Sequence, residues 1–371
     1  MTNEEKLNYI KFMHELSIKY RIDDYPKEQH NDIALDFNRV LKDNVFPLQP
    51  FKLYKYRIVN DNNLNAIEND YAWFSLLKDV DDTVDSTINF DPEEEVEELE
   101  ANQGQMMFEY NLEFVKRMFE QFGLNIPENQ LRECLKCFDD GVLNVESVNE
   151  LLESKNVDDI NKKYLLNEIT KVTKKGVPDE LADATKSFIN NFLGTNESIQ
   201  EKILAFCLSE FSNIDLMWGT YADSSKGFCI EYTIPFDSTN PLSLLYRTNL
   251  YPVYYGKKDR VKLFDVLKKS AFSKDKEING VLVEDYRKMF ISAYTKDESW
   301  SAQKEWRITL PAMFEENNKQ NFPYITSIIL GERMTDDNKK RIMNICKRKN
   351  IPVYQRKFNI SHSKIIVEKV S

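Results

Sequence analysis

Leu53-Tyr54-Lys55-Tyr56-Arg57-Ile58 is the stretch on which the reading of the fold turns. Aromatic and aliphatic residues alternate with cations, the period-two pattern of a strand with two unlike faces. The same texture returns late in the chain, in Gly227-Phe228-Cys229-Ile230-Glu231-Tyr232, in Glu305-Trp306-Arg307-Ile308-Thr309-Leu310 and in the apolar run Ile325 to Leu330. Further strands are expected over 71–77, 250–255, 351–358 and 364–369, and a helix capped by Thr335 runs to Arg348. Between the early and late strands lies a long block without that texture. It reads as helices over 104–122, 128–138, 146–155, 158–174, 179–193 and 197–211, broken at Gly123 with Pro127, Gly141, Gly176 with Pro178, and Gly194.

The expected architecture is therefore α+β. One mixed or antiparallel sheet, with room for a split in it, is interrupted by a large all-helical insertion. Residues 1–45 form a helical leader, in which Tyr9, Met13, Leu16 and Tyr20 recur at helical spacing. Residues 46–101 and 214–371 form the sheet-containing core, and 102–213 the insertion. Within the core, Asn60 to Asn69 reads as a short helix with Leu64 and Ile67 inward, and 260–295 as two amphipathic helices.

Charge and composition narrow the function classes. The chain has 50 basic and 61 acidic residues, a formal charge of −11. Seven carboxylates in residues 91–100, DPEEEVEELE, account for most of it; without them the charge is −4. Such a run reads as a solvated linker or a frayed helix start. The acidic balance argues against non-specific DNA binding. Neither G-x-G-x-x-G nor G-x-x-x-x-G-K-[ST] occurs, and His14, His30 and His362 lie too far apart for a His-pair zinc motif, so no metal site is expected. Cys134 and Cys137 form the only close cysteine pair and read as reduced and structural. No stretch approaches the ~18 apolar residues of a spanning helix, and the N-terminus has no apolar signal core. A cytoplasmic protein without a membrane partner is expected.

Four segments bear on chemistry. Lys55 and Arg57 share one face of their strand and Tyr54 and Tyr56 the other; the strand is either a wet edge or a cationic wall for a phosphate or carboxylate. After Phe74-Ser75 comes an acidic loop in which Asp79, Asp81, Asp82 and Asp85 either form turns or offer oxygen to a hard cation, at spacings unlike the twelve-residue calcium loop. In Leu216 to Tyr232, Trp218 and Tyr221 crowd a turn carrying Gly219 and Gly227, and make either a stacking wall or a core cluster. Glu305 and Arg307, two apart on one strand face, are either an ion pair of little worth or a carboxylate kept ionised for catalysis.

Taken in order, LYKYR, Phe74-Ser75 with its acidic loop, Cys207-Leu208-Ser209-Glu210, LMWGTYADSSKGFCIEY and Trp300-x-x-x-x-Glu305-Trp306-Arg307 resemble the bacterial family of unknown function DUF2971, over roughly 51–90 and 204–358. The most specific part joins Met217–Tyr232 to Glu305-Trp306-Arg307. This chain departs from the family pattern at Asp81, at Thr83 and at Gln303, where a second glutamate often stands. The layout is also similar to the ADP-ribosyltransferase fold, in which NAD lies in the cleft of a split sheet. That resemblance implies NAD as the substrate and Glu305 as the catalytic carboxylate. It places Lys55, Tyr56 or Arg57 at the dinucleotide, Ser75 on the second strand, and Tyr221 with Trp218 against nicotinamide, with Arg307 keeping Glu305 charged. A glycosyl transfer or NAD cleavage, in a defence role against phage, is what it implies. The competing reading is a non-enzymatic module that senses a nucleotide-like ligand or contacts a protein through the helical insertion. A metal-dependent phosphoesterase using Asp79, Asp82, Asp85 and Glu305 is the third. The first two part on whether Glu305 faces a cleft shared with Tyr56 and Tyr221 or is sealed against Arg307.

Overall fold

The alternation in Leu53–Arg57 does build a strand, β1, and it lies inside a nine-stranded sheet. In chain order the other strands are β2 (Tyr71–Trp73), β3 (Ser75–Leu76), β4 (Ile203–Ser209), β5 (Phe228–Tyr232), β6 (Leu250–Pro252), β7 (Tyr254–Tyr255), β8 (Thr295–Lys296), β9 (Glu305–Pro311), β10 (Lys319–Asn321), β11 (Ile325–Leu330), β12 (Val353–Asn359) and β13 (Lys364–Lys369). This computed structural model describes residues 1–21, 25–80, 89, 94, 112, 115–135, 145–155, 157–173, 203–260, 290–312, 318–359 and 364–370. The main sheet runs β13-β12-β11-β5-β1-β4-β9-β6, with β3 also paired to β4. Only β11 and β12 are parallel within it, so the sheet is mixed and the fold α+β, as the strand texture implies.

One expectation is overturned. Of the helix read over 197–211, Ile203–Ser209 is instead β4, a strand inside the sheet. Leu204, Phe206 and Leu208 join the main core on one face, while Ala205 and Ser209 are buried on the other. A strand covered on both sides loses its alternation and cannot be told from a buried helical segment by period alone. The expectation of an all-helical 102–213 therefore fails at its C-terminal end.

The chain divides into two compact units, one of Met1–Thr87, Glu197–Asp259 and Phe290–Ser371, the other of Ile88–Asn196 and Arg260–Met289. In the first, the helix Asn3–Lys19 starts with a Thr2–Glu5 capping box and buries Tyr9, Met13 and Leu16. Tyr9 meets Trp306 of β9 edge to face, ring centroids 5.8 Å apart. The helix Asp61–Glu68 is capped by Asn60 and buries Leu64 and Ile67, and Thr335 caps Asp336–Lys349. The expected strand over 71–77 is broken in two at Phe74, whose ring is fully buried against Phe206 and whose N–H donates to the Asn318 carbonyl.

In the second unit, helices Glu128–Leu135, Val145–Ser154 and Asp159–Thr173 bury Leu131, Val148, Leu152, Leu165 and Ile169 together with Val115 and Phe119. The helix expected over 179–193, most of 260–295, Cys137, and all of the acidic run 91–100 but Glu94 lie outside the described residues. Among the described residues no helix is long and apolar enough to cross a membrane.

Candidate functional site

The site begins with an interruption in the sheet. Strand β1 pairs with β5 at five positions, Leu53↔Tyr232 to Arg57↔Phe228, but meets β4 at one, Tyr54↔Ser209. Continued, that antiparallel register would set Tyr56 opposite Cys207. Instead β4 takes up β3 further along, at Ser75↔Ala205 and Leu76↔Leu204. The Cys207 carbonyl, left without a backbone partner from β1, accepts a 2.6 Å hydrogen bond from Lys55 Nζ. A cavity of about 240 Å³ occupies the gap. Its walls are Tyr54, Lys55, Tyr56 and Arg57 of β1, Ala205, Cys207, Leu208 and Ser209 of β4, Trp73, Ser75 and Asp79 from the segment around β3, Tyr221 and Met217, and Lys296, Gln303 and Glu305. Because the cavity sits in a seam between strands, side chains from both faces of β1 reach it.

Glu305 opens β9 and is 5% exposed, at the floor of the cavity. Arg307 Nε donates to its Oε1 at 2.7 Å, and Lys296 Nζ approaches Oε2 at 3.4 Å. Burial alone would raise the Glu305 pKa. The Arg307 and Lys296 charges, with hydrogen bonds from Arg307 and Cys207, outweigh it and hold the carboxyl at about 2. The contacts extend outward through Gln303: its Oε1 accepts from Lys296 at 3.1 Å, and its Nε2 donates to the Tyr221 hydroxyl at 3.0 Å. Lys304, between Gln303 and Glu305, takes a left-handed φ of 49°, which ends the 3-10 turn and starts β9. The Glu305 N–H donates to the Tyr255 hydroxyl at 2.8 Å. The Cys207 thiol is pushed up to about 12, first by burial and then by the Glu305 charge, so it is no nucleophile.

Arg57 is the contrasting group. It lines the same cavity, burial pushes its pKa down, and among the described residues no hydrogen bond or ion pair reaches its guanidinium. Counted over the site, Lys55, Arg57, Lys296 and the adjoining Arg307 stand against Glu305 and Asp79. The wall is net cationic in a protein that is acidic as a whole.

Of the residues singled out in the sequence, the structure gathers Lys55, Tyr56, Arg57, Ser75, Tyr221 and Glu305 around one cavity. It leaves two aside. Trp218 is fully buried in a separate aromatic cluster, edge-on to Tyr56 at 5.3 Å, its indole N–H given to the Ser212 carbonyl at 2.8 Å. It supports Tyr56 from behind and offers no face to a ligand, so its expected place against nicotinamide is corrected. Arg307 is likewise fully buried and acts through Glu305. On the question that separated the two leading readings, both halves hold: Glu305 is paired with Arg307, and it faces a cleft shared with Tyr56 and Tyr221.

Sequence reading missed Trp73 and Lys296 and weighed Gln303 only as a departure from the family pattern. Alternation marks Trp73, two residues before Ser75 on a strand-like run. No pattern marks Lys296, which stands on two-residue β8, one short turn before Gln303 and Glu305. Asp81, Asp82 and Asp85 lie outside the described residues, among which no group of three or more His, Cys, Asp or Glu is placed to hold a metal ion. Residues 217–308, which include Tyr221, Lys296, Gln303, Glu305 and Arg307, match the family described as "Protein of unknown function (DUF2971)". No curated protein and no solved structure matches the chain.

Proposed function

This chain carries a DUF2971 segment, and we propose that it binds an anionic small molecule of the nucleotide class, NAD among them, in the cleft between β1 and β4. The observation that carries the reading is Arg57: a partly buried cation on the wall of the cavity between β1 and β4, with no counter-charge among the described residues. Taking a cation out of water without a partner costs several kcal/mol. A phosphate placed there recovers that through short, charge-assisted and bidentate hydrogen bonds. Lys55 and Lys296 reinforce the field, and the phenol of Tyr221 and the amide of Gln303 offer the few convergent polar groups that fix a ligand's orientation. The test is a thermal-shift series on the full chain with NAD, ADP-ribose, mononucleotides and magnesium chloride. The expected outcome is stabilisation by at least one nucleotide, weakening as salt is raised. No shift with any of them rejects the reading.

A second reading rests on Glu305. It is ionised, it lines the cleft beside Tyr221, and a carboxylate in that position would stabilise the ribosyl cation that forms as the bond from ribose to nicotinamide breaks. Nicotinamide would leave with the electron pair of that bond on its ring nitrogen, water or an acceptor nucleophile would bond to the ribosyl carbon, and the proton the nucleophile sheds would pass to solvent. The same two cations that keep Glu305 ionised offset its field, so binding leads and cleavage follows. Nicotinamide release from NAD by the purified chain decides between them. On the catalytic reading, Glu305→Gln lowers turnover by about 10²-fold at saturating NAD; equal turnover removes Glu305 from the chemistry.

A further inference from the structure

The cleft holds a second group for which the described residues supply no partner. The sequence contains four tryptophans, at 73, 218, 300 and 306. Trp218 and Trp306 are core residues, and the ring of Trp300 carries Lys296 Nζ 4.8 Å from its centroid. Trp73 is 48% exposed, it lines the cavity, and among the described residues no ring or cation packs against it. An exposed indole beside a polar cavity is a large apolar surface held in water.

Its backbone is not free to withdraw it. Trp73 ends β2, where it is paired with Lys319 of β10. The next residue, Phe74, is fully buried in a stack on Phe206, 5.1 Å between centroids. The residue after that, Ser75, is paired with Ala205 and lines the same cavity. Fixed on both sides, the backbone carries the indole at the cavity without having to be ordered when a ligand binds, which limits the entropy cost of stacking to the side chain itself.

We infer that Trp73 is the platform on which a heterocycle stacks while Arg57 takes the anionic end of the same molecule, so that the ligand is a nucleotide rather than a simple inorganic anion or an acidic metabolite without a ring. This rests on the proposed reading of the cleft as an anion site and makes its ligand bipartite. Among the described residues two groups lack partners in one cavity, a guanidinium and an indole, and a base joined to a phosphate satisfies both.

Isothermal titration of the full chain tests it, with ADP, NAD and inorganic pyrophosphate as probes. Trp73→Leu weakens ADP and NAD by about tenfold, the loss of one base–aromatic stack, and leaves pyrophosphate unchanged. Trp73→Phe keeps both nucleotides within about threefold, since a smaller ring still stacks. Arg57→Gln weakens all three probes. Equal weakening of pyrophosphate and ADP by Trp73→Leu would mean that the indole only shapes the cavity, and ADP binding unaffected by it would mean that the ring lies elsewhere; either result overturns the stacking assignment alone. Wild-type affinity for all three probes in Arg57→Gln overturns the anion site itself, and with it the bipartite ligand. So does a wild-type chain that binds none of them.

Discussion

Towards β9, strand β4 is paired at seven positions, from Ile203↔Pro311 to Ser209↔Glu305; towards β1 it is paired at one. On the closed edge the charges are matched inside the protein, Glu305 by Arg307 and Lys296. On the open edge Lys55 borrows a backbone carbonyl, and Arg57 has no partner among the described residues. A sheet that satisfies its own groups can close; an edge along which the described residues leave a guanidinium and an indole without partners is shaped for something that is not part of the chain. Substitutions on the closed edge should therefore be read out in stability, and those on the open edge in binding.

The largest effect is expected on the closed edge. Glu305→Ala leaves Arg307 buried without its carboxylate and is expected to lose about 3–5 kcal/mol in urea unfolding. A loss below about 1 kcal/mol would mean that the pair does not hold β9 in place. Acid tests the same contact without a mutation. The Glu305 carboxyl sits at about 2 when folded against an ordinary 4.5, so its stabilisation, about 3 kcal/mol, is fully present above pH ~4.5 and is lost as the pH falls towards 2. Glu305→Gln should flatten that part of the stability–pH curve; an unchanged slope would place the acid sensitivity elsewhere.

Effects on the open edge are smaller. Lys55→Met removes the hydrogen bond that bridges the seam to Cys207 and is expected to cost about 1–2 kcal/mol in the same unfolding measurement. Trp73→Leu, at a nearly half-exposed position, is expected to stay within about 0.5 kcal/mol of wild type. A loss of 2 kcal/mol or more would show that the indole is part of the scaffold, and the contrast between the edges would fail there.

Much of this arrangement is legible in the residues, and the parts that are not have physical reasons. Alternation marked β1, β5 and β9 because each puts unlike residues on its two faces, as in Lys55 and Arg57 against Tyr54 and Tyr56, or Glu305 and Arg307 against Trp306. Strand β4 was hidden because Leu204 to Ser209 is buried on both faces and carries no period. Glu305 and Tyr221 stand in segments dense in aromatics and charge, which drew attention to them; Trp218 stood in the same crowd and proved to be core. Lys296 was invisible, since a two-residue strand delivers it and its partners Gln303 and Glu305 become neighbours only through the fold. The place of the gap could not be read, because a missing pairing between β1 and β4 leaves no mark on either strand.

Arg57→Met tests the central claim most directly, with melting temperature measured on the same samples with and without NAD. A cation kept in the wall for a ligand is a burden to the empty protein, so the variant should melt at or above the wild-type temperature while its response to NAD disappears. A variant that melts roughly 4 °C or more below wild type and still responds fully to NAD would contradict the account, because Arg57 would then be holding the fold and not the ligand.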